Sequence, residues 1–205
     1  MFKNMMKNKV HAYRQAGFTL MELLIVIGVL GILAAGLLAA IDPFEQLKKA
    51  RDTNNRSAAI ELLGSTQRYY ATHGYLPWFK MTGAVYDCLT TVIPLRVLDS
   101  AAPFSAVALS KSGGAGDTDM KTCIDSTLLL DGEIKDTFFE GLATTLYVAS
   151  GSPTKAMVCF PPEGKSNLSD PQTKWVYDAT AKTVDDSTAC TVAQKSAGVC
   201  LQCFE

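Results

Sequence analysis

Residues 18–41 read FTLMELLIVIGVLGILAAGLLAAI, twenty-four positions with a single charge, Glu22. As a helix this run is about 36 Å long at ~1.5 Å per residue, enough to cross a hydrocarbon core of ~30 Å. On its N-terminal side lie Lys3, Lys7, Lys9 and Arg14 with no acid, a local charge of +4. The other residues carry 15 basic and 20 acidic side chains, 19 − 4 = 15 against 20, a charge of −5. A basic tip before an apolar span predicts a cytoplasmic N-terminus with the remainder outside.

The six cysteines, Cys88, Cys123, Cys159, Cys190, Cys200 and Cys203, all follow the span. An even number on the outer side of an anchor predicts an oxidising compartment and disulfides. Six cysteines allow fifteen pairings, and the sequence does not choose among them. Cys200-Leu201-Gln202-Cys203 has zinc-site spacing, but a second close pair is missing, so disulfides are expected and a metal is not.

Asp42-Pro43-Phe44-Glu45 marks a boundary. Asp42 suits a helix cap, Pro43 a first helical position and Glu45 the reach back of a capping box. The other reading is one continuous or mildly kinked helix, and that is the expectation taken here. Helical signal runs on to His73. Glu45 precedes Lys49 by four residues, as Asp52 precedes Arg56, in the favourable orientation. Ala59, Leu62, Leu63, Thr66, Tyr69 and Tyr70 form an apolar stripe. Gly74 and Pro77 then stop the helix. Residues 18–73 would make a helix of about 84 Å at ~1.5 Å per residue, too long to bury in a domain of this size. Its first half needs lipid or like neighbours, and its second half needs a domain on one face.

Residues 76–205 supply that domain. Strands are expected at Val85–Val92, Ser105–Leu109, Thr145–Ala149, Ala156–Phe160 and Lys174–Tyr177, with a hairpin around Ser150–Pro153. A short helix is expected within 128–142, from Leu130, Ile134, Phe138 and Leu142. Residues 111–122 (KSGGAGDTDMKT) read as a flexible loop. The fold class is therefore α+β: a long N-terminal helix, transmembrane then amphipathic, packed on a small antiparallel β-sheet domain.

The segment AGFTLMELL resembles the class III signal of type IV pilins and type II secretion pseudopilins. An ordinary secretory signal has a shorter apolar core and is cut after it. Here Gly17 stands before the core and an acid interrupts it. The resemblance is strong over 14–41 and looser to Pro77, where YYATHGYLPW is similar to the family's Tyr-rich helix end. It implies that a prepilin peptidase cuts between Gly17 and Phe18 and methylates Phe18. It also implies that Glu22 is the family's assembly acid. The expected organisation is a cleaved leader at 1–17, a membrane and filament-core helix at 18–41, its amphipathic continuation at 42–75 and an extracytoplasmic β-rich domain at 76–205. Implied partners are identical or homologous subunits, the peptidase, an inner-membrane assembly platform and the bilayer before assembly. The implied location is the cytoplasmic membrane first and an extracellular filament or the cell surface afterwards.

Glu22 has a reading of its own. A carboxylate in apolar surroundings costs ~2.5–3.5 kcal/mol even on translocon scales. An amine released at Phe18, on the same chain or a staggered neighbour, would compensate it. The plainer reading is a Glu near the headgroups of a simple signal anchor. Gly31/Ala35 and Gly36/Ala40 have the spacing that lets helices approach closely, a spacing that the ordinary composition of membrane helices accounts for equally well.

Little points to catalysis. Of two histidines, His11 lies in the leader and His73 at a helix end. GxSxG, HExxH and phosphate-loop patterns are missing. Asp117-x-Asp119 fails as a calcium loop, because Thr122 replaces the turn glycine and Leu128 the bidentate acid. No cofactor is expected, and the charge balance gives no indication of nucleic acid. The expectation is a structural subunit and not an enzyme: by the resemblance a type IV pilus subunit, with a type II secretion pseudopilin as the alternative and a signal-anchored extracytoplasmic enzyme or binding protein as the third possibility.

Overall fold

The structure, a computed structural model, describes residues 17–83, 85–86, 88, 95, 102–111, 117–186 and 190–205. The chain divides into two compact units, Met1–Pro43 and Phe44–Glu205. Most of the expected leader, 1–16, lies outside the described residues, as do 87 and 89–92 of the first expected strand.

In the first unit α1 spans Leu20–Ala40. It ends at Ile41, whose backbone is extended (φ −111°, ψ 123°). A second helix, α2, begins at Pro43 and runs to His73. The expectation of one continuous or mildly kinked helix is thus corrected to two helices with a two-residue break. The cause is local: a residue before proline is pushed out of the helical region, and proline is itself well placed at a first helical position. At the other end the stop signals act as expected. Gly74 has φ +79° and donates its N–H to the Tyr70 carbonyl at 2.7 Å, and Pro77 opens a single 3-10 turn, Pro77–Phe79. The positive φ is what glycine supplies there without a Cβ clash.

The second unit packs α2 against a β-structure. Two short strands, β1 (Met81–Thr82) and β2 (Val85–Tyr86), pair with each other. The rest are β3 (Phe104–Leu109), β4 (Leu146–Ser152), β5 (Lys155–Phe160), β6 (Thr173–Asp178), β7 (Thr183–Asp185) and β8 (Cys200–Phe204). They form a closed antiparallel barrel in the order β3-β4-β5-β8-β6-β7. The small sheet expected from the sequence is therefore corrected to a barrel. It closes through two residue pairs, Phe104↔Val184 and Ser105↔Thr183. Closure removes the unpaired strand edges that an open sheet would present. The β6–β7 turn is held by Asp178, which accepts the N–H groups of Ala181 at 2.9 Å and Thr180 at 2.7 Å. Those bonds, Ala181's foremost, keep its carboxyl below the ordinary range.

Strand alternation creates two cores. On β4 and β5, Leu146, Val148, Ala156, Val158 and Phe160 face the α2 side with Ala59, Leu62, Leu63 and Tyr69. Ala149, Met157 and Cys159 point the other way, with Ala106, Trp175, Val184, Leu201 and Cys203. The period of two thus fills both faces of the same strands.

Residues 117–122 of the expected flexible loop lie instead in a helix, α3 (Asp117–Ile124), while 112–116 lie outside the described residues. Met120, Cys123 and Ile124 are buried, so core contacts override the loop-like composition. The helix expected within 128–142 is replaced by a wide turn at Asp125–Leu129 and a 3-10 turn at Asp136–Phe138. Gly132, at φ +73°, separates them, and Leu130 is exposed. Two further short helices, α4 (Lys165–Leu168) and α5 (Val192–Ser196), lie between strands.

All six cysteines are paired, as Cys88–Cys123, Cys159–Cys203 and Cys190–Cys200. Cys200 and Cys203 have different partners because residues three apart on a strand point to opposite faces. That geometry excludes the zinc reading of their spacing. Bridges of this kind typically contribute ~2–4 kcal/mol each.

One polar cluster ties α2 to the barrel. Asp52 is fully buried on α2. Its carboxylate accepts the N–H groups of Glu163 and Gly164 and the Asn167 side-chain amide, each at 2.8 Å. Glu45 accepts the Lys165 N–H at 2.5 Å, and Arg51 pairs with Glu163 at 2.5 Å. A Cβ on Gly164 would lie 3.0 Å from an Asp52 carboxylate oxygen, so glycine is what permits this close approach. Asp52 is thus not engaged with Arg56 as the helical spacing predicts; Arg56 lies over the Phe204 ring, 5.3 Å from its centre.

Candidate functional site: the helix start and the apolar span

Gly17, Phe18 and Thr19 precede α1 without helical structure, and all three are exposed. Thr19 is the N-cap, with extended backbone angles (φ −76°, ψ 150°). Its hydroxyl accepts the Glu22 N–H at 3.2 Å. The Glu22 carboxylate accepts the Thr19 N–H at 3.2 Å and the Thr19 hydroxyl at 3.1 Å. This is a reciprocal capping box, which satisfies two backbone donors that a helix start leaves open. The negative carboxylate also suits the positive end of the helix dipole. The spacing Thr19-x-x-Glu22 is the capping-box signature in the sequence itself.

The cap fixes where the Glu22 carboxylate lies: on the backbone N–H of the residue that follows Phe18. An amine created on Phe18 would arise one peptide unit from that carboxylate. Among the described residues of its unit nothing covers the apolar span. Leu20–Leu38 is long and apolar enough to cross a membrane, and none of it is buried.

The glycines here are not explained by the chain. A Cβ on Gly17 would meet nothing within 4 Å, and the same holds for Gly28, Gly31 and Gly36. None of the four has the positive φ that favours glycine. The described residues therefore leave room for a side chain at all four positions.

Residues 13–38 match the family model for the prokaryotic N-terminal methylation motif. This is the type IV pilin and pseudopilin signature. With the apolar helix, the methylation motif marks a membrane-anchored, signal-like N-terminus. The match stops at Leu38, before α2 and the barrel. No curated protein and no solved structure matches the chain. Gly17, Phe18 and Glu22 all fall within the matched stretch.

Proposed function

We propose that this chain is the precursor of a pilin-type subunit that works by assembly and not by turnover. The leader is cut after Gly17 by a prepilin peptidase, and Phe18 is methylated. The apolar helix then leaves lipid for a bundle of like helices, and the domain after it forms the outer surface of an extracytoplasmic filament. The observation that carries this reading is the methylation motif lying on a helix start with an uncovered span behind it. In the free subunit Glu22 caps its own helix. In the filament it takes the Phe18 amine of a staggered neighbour, a pairing strengthened by low local dielectric. The same chemistry serves the pseudopilus of a secretion system; long surface filaments containing this chain would favour the pilus.

The glycine at the cut gives a direct test. Gly17→Leu adds a side chain where the chain has room for one, so folding and insertion are unaffected. Any effect then reports an external cleft. The precursor should accumulate uncut in the membrane fraction, seen as a slower band beside processed wild type. Normal processing of Gly17→Leu would remove Gly17 from the recognition site.

A further inference from the structure

The buried line on α2, through Asp52, Asn55, Ala59, Leu62, Thr66 and Tyr69, does not end where the barrel's cover ends. Phe44 lies eighteen residues before Leu62, which is five helical turns, so it falls on the same line. Yet Phe44 is 75% exposed, and Leu47, one turn on, is 59% exposed. The apolar stripe thus overshoots the domain that it serves. Around it the charge is basic. Between Asp42 and Asp52 the helix start carries Lys48, Lys49 and Arg51 against Glu45; Arg51 pairs with Glu163 and Glu45 accepts the Lys165 N–H, so Lys48 and Lys49 are the cations next to the two apolar side chains in sequence. Lys48 is half-buried and follows Phe44 by one helical turn on the same helix.

We infer that Phe44, Leu47 and Lys48 form an interfacial foot that rests on the phospholipid surface before assembly. The two apolar side chains enter the acyl boundary and the ammonium meets lipid phosphate. The inference rests on the membrane-anchor reading of the apolar span. Three observations select lipid over a second copy of the chain. Phe44 is six residues beyond Leu38, and so within about 20 Å of the span's end even if the chain between is fully extended. An apolar body with a long cationic stem is the side-chain chemistry suited to a membrane interface. A second copy at the same depth would bring an equal basic patch against this one. The foot would hold the domain against the membrane until assembly lifts it away.

The test uses the full chain in nanodiscs, with Phe44→Trp as the probe. Wild type supplies the background, since Trp78 and Trp175 are buried. In discs of phosphatidylcholine brominated near the glycerol end of the acyl chain, the added indole should lose at least half of its emission. Lys48→Glu in the same background should restore most of it. Leu47→Trp reads the same face if the first variant folds poorly. Co-purification with discs but water-like, unquenched emission would overturn the foot alone. Failure to co-purify would overturn the anchor reading with it. Emission that shifts to shorter wavelength only in assembled filaments would assign the face to a second copy.

Discussion

Glu22→Gln is expected to leave insertion and processing intact while filament yield falls about a hundredfold or more. Glutamine keeps the shape of glutamate and is itself a capping-box residue, so the start of α1 survives. Insertion is unharmed or improved, because the anion that costs ~2.5–3.5 kcal/mol in apolar surroundings is gone. Gly17 and the basic leader are untouched. What disappears is the counter-charge for a neighbour's Phe18 amine. Breaking a buried pair from one side typically costs about 3–5 kcal/mol, and each ~1.4 kcal/mol is a factor of ten. The penalty recurs with every subunit added. The measurement is filament yield beside the abundance of processed subunit in the membrane. Wild-type yield from Glu22→Gln would mean that Glu22 is a helix cap and no more.

Asp52→Ala is expected to destabilise the second unit by about 3–4 kcal/mol, near 10 °C in melting temperature for a domain of this size. The carboxylate is fully buried and accepts three hydrogen bonds at 2.8 Å, two of them from backbone. Alanine strands the buried Gly164 donor and frees the loop that clamps α2. Asp52→Asn should recover little, since its amide group turns a donor toward donors. Asp186→Ala is the control: its pair with Lys174 is partly exposed, and such pairs are worth ~0–1 kcal/mol. Thermal unfolding of the three variants in detergent decides the matter. A loss under about 1 kcal/mol for Asp52→Ala would show that water replaces the carboxylate at little cost.

The sequence was legible where a signal is local. The apolar span, the Gly74–Pro77 stop and the short β-prone runs of β3 to β6 could be read because neighbouring residues carry them. The break at Ile41-Asp42 was half legible. Pro43 fits both a restart and a kink, and the choice turned on the backbone preference of the residue before it. The strand β8 was hidden by its cysteines: CLQCF reads as ligand spacing until strand alternation sends Cys200 and Cys203 to opposite faces. Barrel closure rests on two residue pairs between β3 and β7, about eighty positions apart, which no local pattern announces. Asp52 shows the same limit. Its helical neighbour Arg56 was the obvious partner, and its actual partners lie on a loop more than a hundred residues away. At the helix start the difficulty was different, because Thr19 and Glu22 are adjacent turns of one motif and the pattern was there to be read.

Processing at the Gly17–Phe18 junction is the central claim, and the intact mass of the protein purified from membranes tests it most directly. The account predicts a chain that begins at Phe18 and carries one added methyl group, with fragmentation placing that methyl on the Phe18 amine. A chain that keeps residues 1–17, or one cut beyond the apolar span near Ala39 or Ala40, would contradict it.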